Sequence, residues 1–245
     1  MDILFKLILL IPLLVSFYFL LINIGIFAIL PIWLLCGLID VSRHKTMNLK
    51  LIKEYFLGKG FLTFILSPLN LFADLLSFRN LHTFKIEDLP TGHQDEINAV
   101  VSLFDKNAKE IADRFKENIE DNRTMLFYKW YGYKLDESIG EFNNGYKYIK
   151  TIGVSLFRQK TSTSRHFGPL RMTYRILYNF NKVKKEGSYI EADGRINKWK
   201  YDPLFIFDYS LIHQSFNEED NLRYCAFIDI IRPSHFDNIM KSILS

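Results

Sequence analysis

From Leu7 to Ile39 the chain carries no charged residue, whereas beyond Asp40 apolar and charged positions alternate as in a water-soluble domain. The run is longer than the roughly 7–15 residues of a signal-peptide core, and no small-residue cleavage site follows it, so it is expected to be retained and membrane-embedded. As one straight helix it would extend about 50 Å against a hydrocarbon core of about 30 Å. Pro12, Asn23-Ile24-Gly25 and Pro31 offer places to bend. One tilted or kinked span is the expectation, with a hairpin turning near Asn23 as the alternative. A second apolar stretch, Phe61 to Phe78, is interrupted by Pro68, Asn70 and Asp74. In it Leu62, Ile65, Leu66, Leu69, Phe72, Leu75 and Leu76 recur at helical spacing. That spacing predicts a helix with one apolar face, laid either on the domain or in a membrane interface.

Further along, Ile97, Val100, Val101, Phe104, Ala108, Ile111, Ala112 and Phe115 predict an amphipathic helix from His93 to Ile119, with Asp95 and Glu96 at its start. Met125 to Leu135 is rich in aromatic residues and reads as a packing wall. From Tyr148 the pattern changes. Tyr148 to Phe157, Met172 to Phe180, Ser188 to Ala192, Pro203 to Phe207 and Tyr224 to Ile231 are short β-branched and aromatic runs bounded by Gly, Asn, Asp and Pro. Short strands without intervening helices predict a mainly β domain, a sandwich or double-stranded β-helix (jelly roll), with flanking α-helices and an N-terminal transmembrane segment. The expected organisation is a membrane anchor over 1–40, basic juxtamembrane and interfacial helices over 41–90, and a helix plus β domain over 91–245.

The formal charge of the 245 residues is only +4, but Arg43, Lys45, Lys50, Lys53 and Lys59 follow the apolar run with Glu54 alone against them. Cations flanking a span stay on the cytoplasmic side, which places the rest of the chain in the cytoplasm. The same cations suit anionic headgroups. Cys36 and Cys225 make neither a disulfide framework nor a metal-ligand spacing. No nucleic-acid-binding motif is present.

Two histidines stand out by context. His166 lies in the polar loop Ser162 to Pro169, and His213 follows the strand ending at Phe207. Imidazoles separated by strands can converge on one metal ion in a small barrel. Arg223 opens an apolar strand and Arg175 lies within another; a cation facing a barrel interior needs an anion, and a guanidinium suits a carboxylate. The plainer alternative makes the histidines ordinary loop residues and Arg223 the partner of Glu218, Glu219 or Asp220.

The stretch from Ser155 to Pro233 resembles the aspartyl/asparaginyl β-hydroxylase family, and within it the bacterial lipid A 2-hydroxylases. The resemblance rests on FDYSLIHQSFNEEDNLRYCAFIDIIRP, on the upstream RHFGP, and on the aromatic FYKWYGYKL behind a hydrophobic N-terminus. It implies a jelly-roll dioxygenase domain, Fe(II) held by His166 and His213, 2-oxoglutarate as cosubstrate and dioxygen as oxidant. It further implies that Arg223 binds the distal carboxylate of 2-oxoglutarate, helped by Ser155 and Arg175. Gly168 stands where other oxygenases of this fold carry an acidic ligand, which the family permits. Leu177 departs from the family, which commonly has His there. The implied reaction is hydroxylation of an acyl chain of lipid A or a related membrane lipid, by an enzyme of the inner (cytoplasmic) membrane facing the cytoplasm. Alternatives are hydroxylation of Asp or Asn in a protein, hydroxylation of an ornithine lipid, or a non-catalytic lipid-binding relative.

Overall fold

A computed structural model describes residues 26–117, 123–136 and 139–244. The chain begins there with four helices: α1 (Ile26–Ser42), α2 (Leu49–Leu57), α3 (Phe61–Ile65) and α4 (Ser67–Leu76). After the short strand β1 (Thr83–Phe84) comes the long helix α5 (Thr91–Glu117), over the residues predicted from its apolar period. The strands follow: β2 (Arg123–Trp130), β3 (Tyr133–Lys134), β4 (Ile149–Phe157), β5 (Thr161–Ser162), β6 (Thr173–Asn179), β7 (Ser188–Ala192), β8 (Arg195–Lys198), β9 (Leu204–Phe207), β10 (His213–Asn217) and β11 (Arg223–Ile231). Helix α6 (Asp237–Ile243) closes the chain.

All pairings are antiparallel and form two sheets, a seven-stranded one ordered β1-β9-β6-β11-β4-β2-β3 and a four-stranded one ordered β5-β10-β7-β8. The fold is thus mainly β, two antiparallel sheets with flanking helices. Strand alternation divides the large sheet into two working faces. Tyr224, Ala226, Ile228 and Ile230 of β11 pack with Ile152, Val154, Tyr174 and Ile176 against Ile97, Val100, Phe104, Ile111 and Phe115 of α5. The opposite face turns Phe157, Phe205, Phe207, Cys225 and half-buried Leu177 toward Ile190 and Ala192 of the small sheet. Candidate chemistry therefore belongs to the odd-numbered positions of these strands.

Three expectations need correcting. Met125 to Leu135, read as a packing wall, is a strand pair turning through Tyr131 and Gly132 (φ 44 and 87); Tyr128 is buried, but Trp130 and Tyr133 are exposed. His213, read as a loop residue, opens β10. Arg43, grouped with the headgroup-facing cations, turns inward and pairs with Asp208 at 3.1 Å.

Among the described residues no helix is long and apolar enough to cross a membrane. The expected span is described only from Ile26 onward, as the 17 residues of α1; residues 1–25 lie outside the described part. The second apolar stretch forms α3 and α4; Leu76 and half-buried Leu69 pack inward, but several of its apolar residues face outward. Thr63, Ser67, Asn70 and Ala73 are buried, whereas Leu62, Ile65, Phe72 and Leu75 are exposed. Leu30, Leu34, Leu35 and Leu38 of α1 are exposed as well.

Candidate active site

The loop between β5 and β6 brings His166 beside His213 by main-chain pairing. Each donates its N–H to the other's carbonyl, at 3.1 and 2.9 Å, and the rings stand 4.3 Å apart between centroids. Their Nδ1 atoms lie 2.7 Å from the Ser164 carbonyl and 2.8 Å from the Leu211 carbonyl. A carbonyl only accepts, so each ring donates from Nδ1, and wherever the imidazole is neutral Nε2 is its basic nitrogen. Burial, reinforced by His166, pushes the pKa of His213 down to about 3. The imidazole thus stays neutral, as a metal ligand must.

Arg223 enters the same interior from β11. It is 1% exposed, stacks at 3.8 Å over the Phe157 ring and faces Trp199 at 5.5 Å. Its Nη2 donates to Ser215 Oγ at 3.4 Å, a weak bond, while Nε and Nη1 have no partner. Burial lowers its pKa, with the Cys225 thiol its nearest opposing influence. Among the described residues no carboxylate forms an ion pair with it, and Asp220 pairs with Lys160 instead. The plainer alternative for Arg223 has no support in this geometry. Leaving a guanidinium dry and two-thirds unbonded is costly, and an incoming carboxylate would relieve that cost.

Arg175 faces the same interior but is already engaged. Its Nε and Nη2 donate to the two oxygens of Asp229 at 2.8 Å each, and it lies over the Tyr209 ring at 4.4 Å. Burial pulls its pKa down, yet Asp229 outweighs that and holds it above the ordinary value. Ser155 is 6% exposed on β4, opposite Cys225 in the register and diagonal to Arg223. Leu177 pairs across with Phe227 and Phe205 in an apolar setting.

Gly168 has no room for a third ligand. A Cβ there would lie 1.9 Å from Tyr209 Cδ2 and 2.6 Å from the Tyr209 carbonyl. Among the described residues no group of three or more His, Cys, Asp or Glu could hold a metal ion. The candidate is a two-histidine site, and the two imidazoles are the side chains that would hold a metal ion.

The profile of the aspartyl/asparaginyl β-hydroxylase family matches residues 94–233, more than half of the chain. The chain belongs to that family. It is accordingly a 2-oxoglutarate-dependent hydroxylase, with Fe(II), 2-oxoglutarate and dioxygen as the participants in its chemistry. No curated protein matches the chain. Solved structures overlap slightly. A prolyl-4-hydroxylase from Pseudomonas putida is 13% identical, with a TM-score of 0.38 over 54% of this chain and 87% of that one. A viral collagen prolyl hydroxylase from Paramecium Bursaria Chlorella virus-1, solved with 2OG, is 11% identical, with a TM-score of 0.36 over 52% and 90%. The cupin domain of an XRE family transcriptional regulator from Enterobacter cloacae is 9% identical, with a TM-score of 0.32 over 44% and 96%. At such scores these likenesses carry no weight for substrate or residue roles.

The donor set of this hydroxylase fits its cofactors: imidazole nitrogens suit Fe(II), and a buried, under-bonded guanidinium suits a dicarboxylate. Sequence reasoning singled out both histidines and both arginines but assigned no role to Asp229 or Ser215. Period-two counting along β10 and β11 puts both on the inward face, which is the signal that finds them.

Proposed function

We propose that this hydroxylase acts on an acyl chain of lipid A or a related membrane lipid at the cytoplasmic face of the inner membrane. In this reading His166 and His213 hold Fe(II), Arg223 receives the distal carboxylate of 2-oxoglutarate, and Ser155 and Arg175 flank the cosubstrate. Arg223 carries the cofactor half of the reading, as a buried cation whose Nε and Nη1 lack partners. The outward apolar residues of α3 and α4 support the lipid half. A helix that buries Ser67 and Asn70 while exposing Phe72 and Leu75 is suited to an apolar surrounding.

When bound, iron and cosubstrate supply the oxidising power that places one oxygen atom of dioxygen on a C–H bond as 2-oxoglutarate becomes succinate and carbon dioxide. The chain's residues orient and exclude. Ser164 and Leu211 carbonyls fix the two imidazole planes, a support that tunes metal ligands generally. Phe157, Trp199 and Phe207 keep water from the guanidinium and from His213. Asp229 locks Arg175, and through it the Tyr209 ring beside Gly168.

The test is the purified full chain in detergent with Fe(II), ascorbate, 2-oxoglutarate and candidate lipids. A lipid heavier by one oxygen atom is expected. Oxygen appearing instead on Asp or Asn of a peptide, or on an ornithine lipid, overturns the substrate assignment. Metal binding without succinate release under any substrate overturns the catalytic one.

A further inference from the structure

The family match begins at residue 94, yet the helices ahead of it grip both histidine loops. Thr63 of α3 donates to the Gly168 carbonyl at 3.1 Å. Asn70 of α4 donates to the Pro169 carbonyl at 3.2 Å and accepts the Arg171 N–H at 2.8 Å. The second loop is held through His44, which follows α1. The N–H of Ile212, next to His213, donates to His44 Nε2 at 3.1 Å. His44 Nδ1 lies 3.0 Å from the Val41 carbonyl, so that nitrogen carries the proton and Nε2 is the acceptor. The same ring meets Phe167, next to His166, edge-on at 5.4 Å between centroids. His44 is 4% exposed and touches the neighbour of each candidate ligand.

We infer that His44 is a positioning residue for the two-histidine site, and that the N-terminal helices are part of the active site as well as a route to the membrane. This rests on His166 and His213 being the ligands. The physical reason lies in the ligand count: with two protein ligands and no third, ring orientation depends on how firmly the two segments, already paired main chain to main chain, are held in place, and His44 braces both. Removing its acceptor leaves the Ile212 N–H unsatisfied one residue from His213.

The test is Co(II) binding by the full chain in detergent without oxygen, read as affinity and as the visible ligand-field spectrum, with unfolding temperature measured alongside. Wild type should bind one equivalent, lost in His166→Ala and His213→Ala. His44→Phe keeps a ring but no acceptor; it should bind about tenfold more weakly with a changed spectrum, the lower end for groups supporting metal ligands. His44→Gln, which restores an acceptor, should return close to wild type. Thr63→Val, milder should His44→Phe not fold, should lose about threefold, as loss of one neutral hydrogen bond implies. Ile111→Ala on α5 should lower the unfolding temperature without moving affinity or spectrum. Unchanged affinity and spectrum in a folded His44→Phe, or in Thr63→Val if it does not fold, overturn the inference while leaving the metal site intact. Wild type that binds no Co(II), or binds it equally without His166 and His213, overturns the ligand reading and this inference with it.

Discussion

Replacing Arg223 by Met separates stability from binding. The guanidinium is 1% exposed, and its Nε and Nη1 have no partners. A buried donor left unsatisfied costs about 1–3 kcal/mol, so two cost about 2–6 kcal/mol. Stacking on Phe157 at 3.8 Å offsets up to about 2 kcal/mol. Met fills much of the same volume without charge, and exchanging a poorly paired buried ion for an apolar side chain is often stabilising. The ligand-free Arg223→Met protein should therefore be more stable than wild type by about 1–3 kcal/mol, at roughly 2–4 °C of unfolding temperature per kcal/mol for a chain of this size. Adding 2-oxoglutarate removes most or all of that advantage. At a hundred times its Kd a ligand stabilises by about 2.7 kcal/mol, and only the wild type should show that gain. The assay is thermal unfolding of both proteins with Mn(II) under anaerobic conditions, with and without 2-oxoglutarate. A ligand-free variant less stable than wild type, or one that still responds to 2-oxoglutarate, would refute the reasoning.

Asp229→Ala should destabilise by about 3 kcal/mol, the lower end for breaking a buried ion pair, because Arg175 keeps 21% side-chain exposure. Most of that loss should return in Arg175→Met/Asp229→Leu, and a double-mutant cycle in urea showing no coupling would contradict the pairing. Acid should unfold the metal-free protein early. Burial depresses His44, and His213 lies at about 3, so the folded state resists protons that the unfolded chain accepts near pH 6.5. Their stabilisation is complete above about pH 6.5 and is lost as pH falls from there, at up to ~1.4 kcal/mol per pH unit for each histidine. Asp208, held below the ordinary carboxylate range by Arg171 and Arg43 against its burial, keeps its contribution until about pH 3.9. Urea midpoints that stay flat from pH 7 to about 4.5 would contradict the histidine assignments.

Much of the barrel was legible because its information is local. Short β-branched and aromatic runs between turn residues marked β4, β6, β7, β9 and β11, with β4 and β11 buried on both faces, and period 3.6 marked α5, which buries one. β2 was harder to see because its aromatics Phe127, Tyr128 and Trp130 fall on both faces; Tyr128 packs against Phe142 while Phe127 meets Phe227 on the other face. His213 stood outside the predicted strands because β10, HQSFN, has polar residues at its inward positions. Those inward polar groups are what the site uses, so the feature that hid the strand also marks its role.

Whether the second apolar stretch lies on the domain or in a membrane interface stays open in the sequence, for a different physical reason. Amphipathic reasoning assumes that a helix buries its apolar face, and α4 buries Asn70 and much of Asp74 instead, because both meet polar groups of the barrel. Arg171, with its side chain 1% exposed, gathers Asp40 of α1, Asp74 of α4 and Asp208 of the loop before β10. None of these carboxylates lies near Arg171 in sequence, so no local pattern could pair them. A buried ionic cluster of this kind adds little stability relative to apolar packing, but breaking it leaves uncompensated charge, which makes docking all-or-none. That property suits a layer whose outer side is apolar and whose inner side grips the loops of His166 and His213. A helix set free to turn its leucines inward would abandon Arg171, and the histidine loops would lose their hold with it.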